Sequence, residues 1–144
     1  MILGIGTDLV QINRFDSWNK FSQDRLRNVF SANEVAQYQT LLNQGALDKA
    51  STFLASRFAA KEAFFKAFSS ALVKLGLTSQ TFNLTFACKQ IEVVYSEWGT
   101  PDFAVNWKVF ETKIQATLPL LNVQLSLSHE KDYALAFVIL EGQV

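Results

Sequence analysis

The spacing of apolar positions divides the chain into a small set of elements. Ile2, Leu3 and Ile5 predict a short strand. Gly4 and Gly6 within it permit a close backbone approach or an unusual turn around Thr7 and Asp8. Ser31 followed by Glu34 fits a capping box, and Val35, Tyr38, Leu41 and Leu42 continue it as a helical stripe that ends before Gly45. The strongest helix is predicted from about Leu47 to Leu75, free of proline and stopped at Gly76. Gln90 to Tyr95 is rich in β-formers, Gly99-Thr100-Pro101 reads as a turn, and Phe103, Val105 and Trp107 alternate as a strand does. Val109, Phe110, Ile114 and Leu118 predict a short helix closed by Pro119. Val123, Leu125 and Leu127 alternate with polar residues, and Tyr133, Leu135, Phe137 and Ile139 do so again after His129 to Asp132. That pair predicts an antiparallel hairpin. Helices and strands mix without a βαβ rhythm, which points to the α+β class.

The central helix is apolar nearly all round. Placed at about 100° per residue, Phe53, Leu54, Phe58, Phe64, Phe65 and Phe68 fall within an arc of about 140°. Most of the opposite side is Ala55, Ser56, Ala59, Ala60, Ala63 and Ala67. Such a helix is buried, and its small face suits close packing on a sheet or a second helix. Arg57 and Lys61 interrupt the aromatic arc, with Glu62 at its edge and Lys66 just beyond. Unpaired charge is costly to bury, so these groups reach water or have partners. One reading is a solvated edge on which Glu62 and Lys66 form an i,i+4 pair. The other is that the cations face an anion and the carboxylate a metal ion.

Composition narrows the classes. The chain has 144 residues, 49% hydrophobic and 13% aromatic, enough for one folded domain over residues 1–144 and too much for pervasive disorder. Thirteen Phe exceed what one small core obviously needs, so some are expected to line an interface or a pocket. Thirteen basic and thirteen acidic residues cancel, so no global field attracts nucleic acid or anionic lipid, and any anionic partner needs a local cluster. The single Cys88 cannot form an internal disulfide, and no Cys/His set suits zinc. No apolar run reaches membrane-spanning length, and Thr7-Asp8 comes too early for a signal peptide. A cytoplasmic protein is the expectation.

Asp8 follows the first strand, at the kind of rim where function often sits, although turn and cap residues are commonly Asp as well. His129 is the only histidine and reads either as a hairpin-turn residue or as a site residue. Ser128 has the spacing of a strand's polar face, and Arg14, Arg25 and Arg27 that of a solvated basic surface. Asp8 and Glu62 with nearby Lys and Arg would make a Mg²⁺–phosphate site, because Mg²⁺ takes one or two carboxylates plus substrate phosphate oxygens.

Three stretches resemble one known family. Gly4-Ile5-Gly6-Thr7-Asp8-Leu9-Val10, followed by Ile12-x-Arg14-Phe15, is similar to the opening motif of the holo-acyl-carrier-protein synthases. Arg57-Phe58-Ala59-Ala60-Lys61-Glu62-Ala63 with Lys66-Ala67 is similar to their second signature, and Leu125 to Val138 to the closing one. The order, spacing and length resemble the small trimeric branch of the 4′-phosphopantetheinyl transferases. The resemblance implies their fold, an antiparallel sheet packed on a long central helix. It also implies transfer of 4′-phosphopantetheine from coenzyme A to a serine of apo-acyl-carrier protein, in fatty acid biosynthesis, by a homotrimer with sites between subunits. Carried over, Asp8 and Glu62 would hold Mg²⁺ against the pyrophosphate, and Arg57, Lys61 and Lys66 would neutralise phosphate oxygens. Ser128 and His129 would lie near the adenosine 3′-phosphate, and Arg14, Arg25 and Arg27 would meet the acidic carrier protein.

Two departures from the family pattern stand out. A glycine-rich stretch usually follows the central helix, whereas this chain reads Phe68 to Thr78 with Gly76 alone, which predicts a longer helix. Gln11 stands where an acidic residue is common. Two other readings compete with the transferase. One is a Mg²⁺-dependent hydrolase of another phosphate ester, and the other is a non-enzymatic oligomeric binding module.

Overall fold

A computed structural model describes residues 1–143. The backbone runs β1 (Ile2–Gln11), a 3₁₀ segment (Ile12–Lys20), α1 (Gln23–Leu26), α2 (Ala32–Asn43), α3 (Leu47–Lys74), α4 (Leu84–Lys89), β2 (Ile91–Tyr95), β3 (Pro101–Val105), α5 (Trp107–Ile114), β4 (Leu121–His129) and β5 (Tyr133–Gly142). β5 is central in an antiparallel sheet of order β1-β5-β4, and β2 and β3 form a separate hairpin. The 28-residue α3 lies across the inner face of the larger sheet, so the expected α+β layout holds.

The small face of α3 explains how closely it packs. A Cβ on Gly4 would stand 1.9 Å from the Ala67 carbonyl oxygen, and one on Gly6 equally near the Ala63 carbonyl oxygen. Only hydrogen side chains on the strand and methyl groups on the helix leave room for that approach. From β5, Ala134, Ala136, Val138 and Leu140 point inward. The aromatic face of α3 turns the other way. Phe64 and Phe68 pack against Phe82, Phe103, Trp107 and Phe110, with centroid separations from 4.9 to 6.0 Å. A second cluster of Phe15, Trp18, Phe21, Phe30 and Phe58 closes the N-terminal end. Much of the aromatic surplus is therefore internal filling.

Several expectations change. β1 runs ten residues without turning at Thr7-Asp8, because Asp8 pairs with Ala136 and the register continues to Gln11–Tyr133. Its one irregularity falls between Ile2 and Gly4. Trp107 opens α5 instead of extending β3. α5 stops at Ile114, short of Pro119, because Gln115 takes a left-handed conformation (φ 56°) and Glu111 Oε1 accepts the Leu118 amide at 2.8 Å. α3 ends at Lys74, one residue before the expected Leu75, and Gly76 follows at φ 70° where the stop is expected. The capping box is present, with reciprocal bonds between Ser31 and Glu34. The β4–β5 hairpin forms in the expected antiparallel register.

Candidate functional site

Asp8 is the next inward-facing residue on β1 after Gly4 and Gly6, so the close approach of α3 brings it against the helix. Lys66 Nζ donates to Asp8 Oδ1 at 3.0 Å and to the Thr7 carbonyl at 2.8 Å. Asp8 is 10% exposed and Lys66 50%, so the carboxylate is enclosed while the ammonium stays open to a ligand. The other oxygen, Asp8 Oδ2, is buried with no donor facing it. Glu62 shares this place. Burial first, then the Asp8 carboxylate beside it, raises the Glu62 pKa above the usual range, against the opposing charges of Lys66 and Arg14. Burial and the neighbouring carboxylate disfavour the ionised form of Glu62, and a cation between the two groups would favour it. Two neighbouring carboxylates, one with an unpartnered buried oxygen, could hold a hard divalent ion, which accepts one or two protein carboxylates together with water or substrate oxygens. Among the described residues no third Asp, Glu, His or Cys completes a protein-only cage.

A second cluster lies on the opposite sheet edge. Lys49, Phe53, Arg57, Tyr95, Leu127 and His129 help line a cleft of about 620 Å³ between α3, the β2–β3 hairpin and the end of β4. Arg57 lies over the Phe53 ring at 3.8 Å and near Tyr95 at 5.1 Å. Its Nε is buried without an acceptor, and burial lowers its pKa. A flat cation between rings, with an unused donor, suits an anion attached to an aromatic group. Tyr95 and Lys49 were not singled out from sequence, because nothing local distinguishes them from ordinary strand and helix residues.

Lys61 requires a correction. It is 0% exposed and cannot reach a phosphate. Its Nζ donates to Glu34 Oε1 at 2.6 Å and to the carbonyls of Val29, Cys88 and Ile91 at 2.8, 3.2 and 3.0 Å. Ser128 also departs from expectation: strand alternation puts Leu127 and His129 on the cleft side and turns Ser128 to the exposed outer face. Arg14 lies over Phe58 at 4.8 Å, and Arg25 over Phe21 at 3.6 Å, so both guanidinium groups are anchored on the N-terminal aromatic cluster. Arg27 lines a separate shallow pocket with Asp24 and Lys89. Cys88 is buried, with its thiol pushed up to about 11, mainly by desolvation, and carries no nucleophile.

An acidic pair with a half-exposed lysine bonded to Asp8, and an arginine–histidine cleft, are groups that could receive a phosphate ester. The family comparison agrees: residues 4–138 match the 4′-phosphopantetheinyl transferase superfamily, and the chain belongs to it. It is 40% identical to the holo-acyl-carrier-protein synthase of Cronobacter sakazakii over 142 residues, 98% of each chain. The Ehrlichia chaffeensis synthase is 36% identical over 141 residues, 97% of each. Among solved structures, the Chronobacterium ammoniagenes ACPS–CoA complex superimposes with a TM-score of 0.72 at 29% identity, covering 98% of both chains. The Mycobacterium tuberculosis acyl carrier protein synthase gives 0.65 at 28% identity, over 99% of this chain and 100% of that one.

Proposed function

We propose that this chain, as one domain over its whole length, is a holo-acyl-carrier-protein synthase. It transfers 4′-phosphopantetheine from coenzyme A to a serine of apo-acyl-carrier protein and releases adenosine 3′,5′-bisphosphate, in fatty acid biosynthesis. The observation that carries this reading is the meeting of Asp8, Glu62 and Lys66 around an unpartnered buried oxygen. Chain-long similarity to holo-acyl-carrier-protein synthases supports it over the hydrolase and the binding module.

In the reaction, the serine hydroxyl gives up its proton to water, and its oxygen bonds to the phosphorus bearing the pantetheine arm. The bond from that phosphorus to the bridging oxygen breaks, so that oxygen leaves with adenosine 3′,5′-bisphosphate. Asp8 and Glu62 would hold Mg²⁺, which supplies positive charge for the departing phosphate and orients the pyrophosphate. Lys66, half open and already turned toward Asp8, neutralises a phosphate oxygen. Arg57 and His129 take the adenosine 3′-phosphate in their cleft, with Tyr95 and Phe53 as apolar walls. Arg14, Arg25 and Arg27 meet the acidic carrier. The first two suit that role because ring stacking holds them in place without neutralising them.

A homotrimer accounts for two further observations. The outer sheet face exposes Ile5, Leu9, Leu135 and Phe137, an apolar surface of the kind that another subunit covers. The acidic pair and the arginine–histidine cleft lie by opposite sheet edges, β1 and β4, so each complete site would combine two subunits. No helix among the described residues is long and apolar enough to cross a membrane. Incubation with coenzyme A, Mg²⁺ and apo-carrier protein tests the function. Mass spectrometry should find a phosphopantetheine increment on the carrier serine, whereas coenzyme A consumed without carrier modification would give the hydrolase the stronger case.

A further inference from the structure

We propose that the buried Lys61–Glu34 pair is a positioning device for Glu62, locking the rotation of α3 so that Glu62 meets Asp8. This rests on the transferase reading, in which that acidic pair binds a divalent cation.

Lys61 and Glu34 are 0% and 1% exposed and touch no cavity that a substrate enters. Enclosing two charges is expensive, and well-packed apolar residues often serve stability as well or better. The partners show what the charges contribute. Lys61 Nζ is held by the Val29 carbonyl after α1, by Glu34 in the first turn of α2, by the Cys88 carbonyl in the last turn of α4, and by the Ile91 carbonyl at the start of β2. Glu34 is itself fixed by the Ser31 amide at 2.8 Å and the Val93 amide at 3.1 Å. Three N–H donors of one α3 atom are thus shared among acceptors from four segments, the Cys88 carbonyl being the most distant.

Lys61 and Glu62 are consecutive, so their side chains leave the helix about 100° apart. Gripping the first sets the bearing of the second. The contacts of Gly4 and Gly6 with α3 fix its distance from β1, but backbone and methyl surfaces resist rotation weakly. The packing of Phe64 and Phe68 against their aromatic neighbours limits rotation from the other side, and the hub adds a directional constraint one residue from Glu62. Carboxylates that must share one ion tolerate little error, since a displacement of about 1 Å can cost roughly a hundredfold in rate.

The test uses Mn²⁺ alone as probe, titrated by electron paramagnetic resonance, with circular dichroism to check folding and steady-state kinetics with coenzyme A. Lys61→Met combined with Glu34→Gln removes both charges, and Glu34→Gln alone keeps the shape. In the folded double variant, Mn²⁺ affinity and kcat should each fall about tenfold to a hundredfold, the range for groups that orient metal ligands, while KM for coenzyme A changes by less than about threefold. Glu34→Gln should show a smaller fall in the same two quantities. Unchanged Mn²⁺ affinity in a folded variant would overturn the proposal. So would a rise in KM alone, which would make Lys61 a phosphate ligand, or loss of the fold in both variants, which would leave the hub a purely structural role. If wild-type protein itself fails to bind Mn²⁺ through Asp8 and Glu62, the site reading fails and takes this proposal with it.

Discussion

Burial and the neighbouring Asp8 make a negative charge on Glu62 costly, a cost that a cation held by both carboxylates would offset. The Glu62 pKa is raised by burial and by Asp8, so folding favours the protonated acid. Stability from this group is full below the ordinary glutamate range and declines as pH rises through the higher folded value. Glu62→Gln should therefore melt at a higher temperature than the metal-free parent at neutral pH, with the advantage gone in acid. The same change should lower transfer by about 10²–10³-fold or more, the scale of losing one charge-stabilising group. Mg²⁺ at about 100 times its dissociation constant should stabilise the parent by roughly 2.7 kcal/mol in thermal melts. Asp8→Asn and Glu62→Gln should respond to it hardly at all. Activity should fail on the acid side above the usual glutamate range, since proton and metal compete for the same oxygens. Arg57→Ala should raise KM for coenzyme A about tenfold with little change in kcat, as expected for lost uniform binding.

At the scale of the element, β1 and α3 make the site by their separation. Gly6→Ala would drive a methyl into the Ala63 carbonyl, both of them backbone-constrained. It should cost about 1–3 kcal/mol in urea unfolding and lower Mg²⁺ affinity in parallel, because the helix must retreat from Asp8. These two elements were also where sequence reading succeeded and fell short. The glycines signalled a close approach, and the alanine face of α3 signalled a partner for it. The length of β1 was not legible, because Gly4, Gly6 and Asp8 are poor strand formers held in the strand by pairing with β5. Lys61 was misplaced for a related reason. Its helical bearing puts it among aromatics, but that spacing does not say whether Glu34, 27 residues away along the chain, will meet it.

For the whole molecule, the exposed apolar sheet face is the feature to test. Light scattering should give the mass of a trimer, and Leu9→Glu with Phe137→Glu should yield a folded, inactive monomer. Complementation bears on the shared site. Asp8→Ala and Glu-substituted Arg57 (Arg57→Glu) should each be inactive as pure assemblies. Mixed and reassembled in equal amounts, they should recover about a quarter of the sites if each combines the two edges of different subunits. No recovery would place both clusters in a single-subunit site.

Local chemistry was readable along the chain: the capping box at Ser31, the period of α3 and the hairpin of β4 and β5. Each depends on neighbours within a few residues, or on residue type alone. Which side of an alternating strand is buried was a different matter. β5 buries Ala134, Ala136, Val138 and Leu140 beneath α3 and exposes Leu135 and Phe137, because the face that α3 covers is set by tertiary packing and not by the local ranking of hydrophobicity. The meeting of Asp8 with Glu62 and the enclosure of Lys61 also came only from packing, since both depend on distances between segments far apart in the chain.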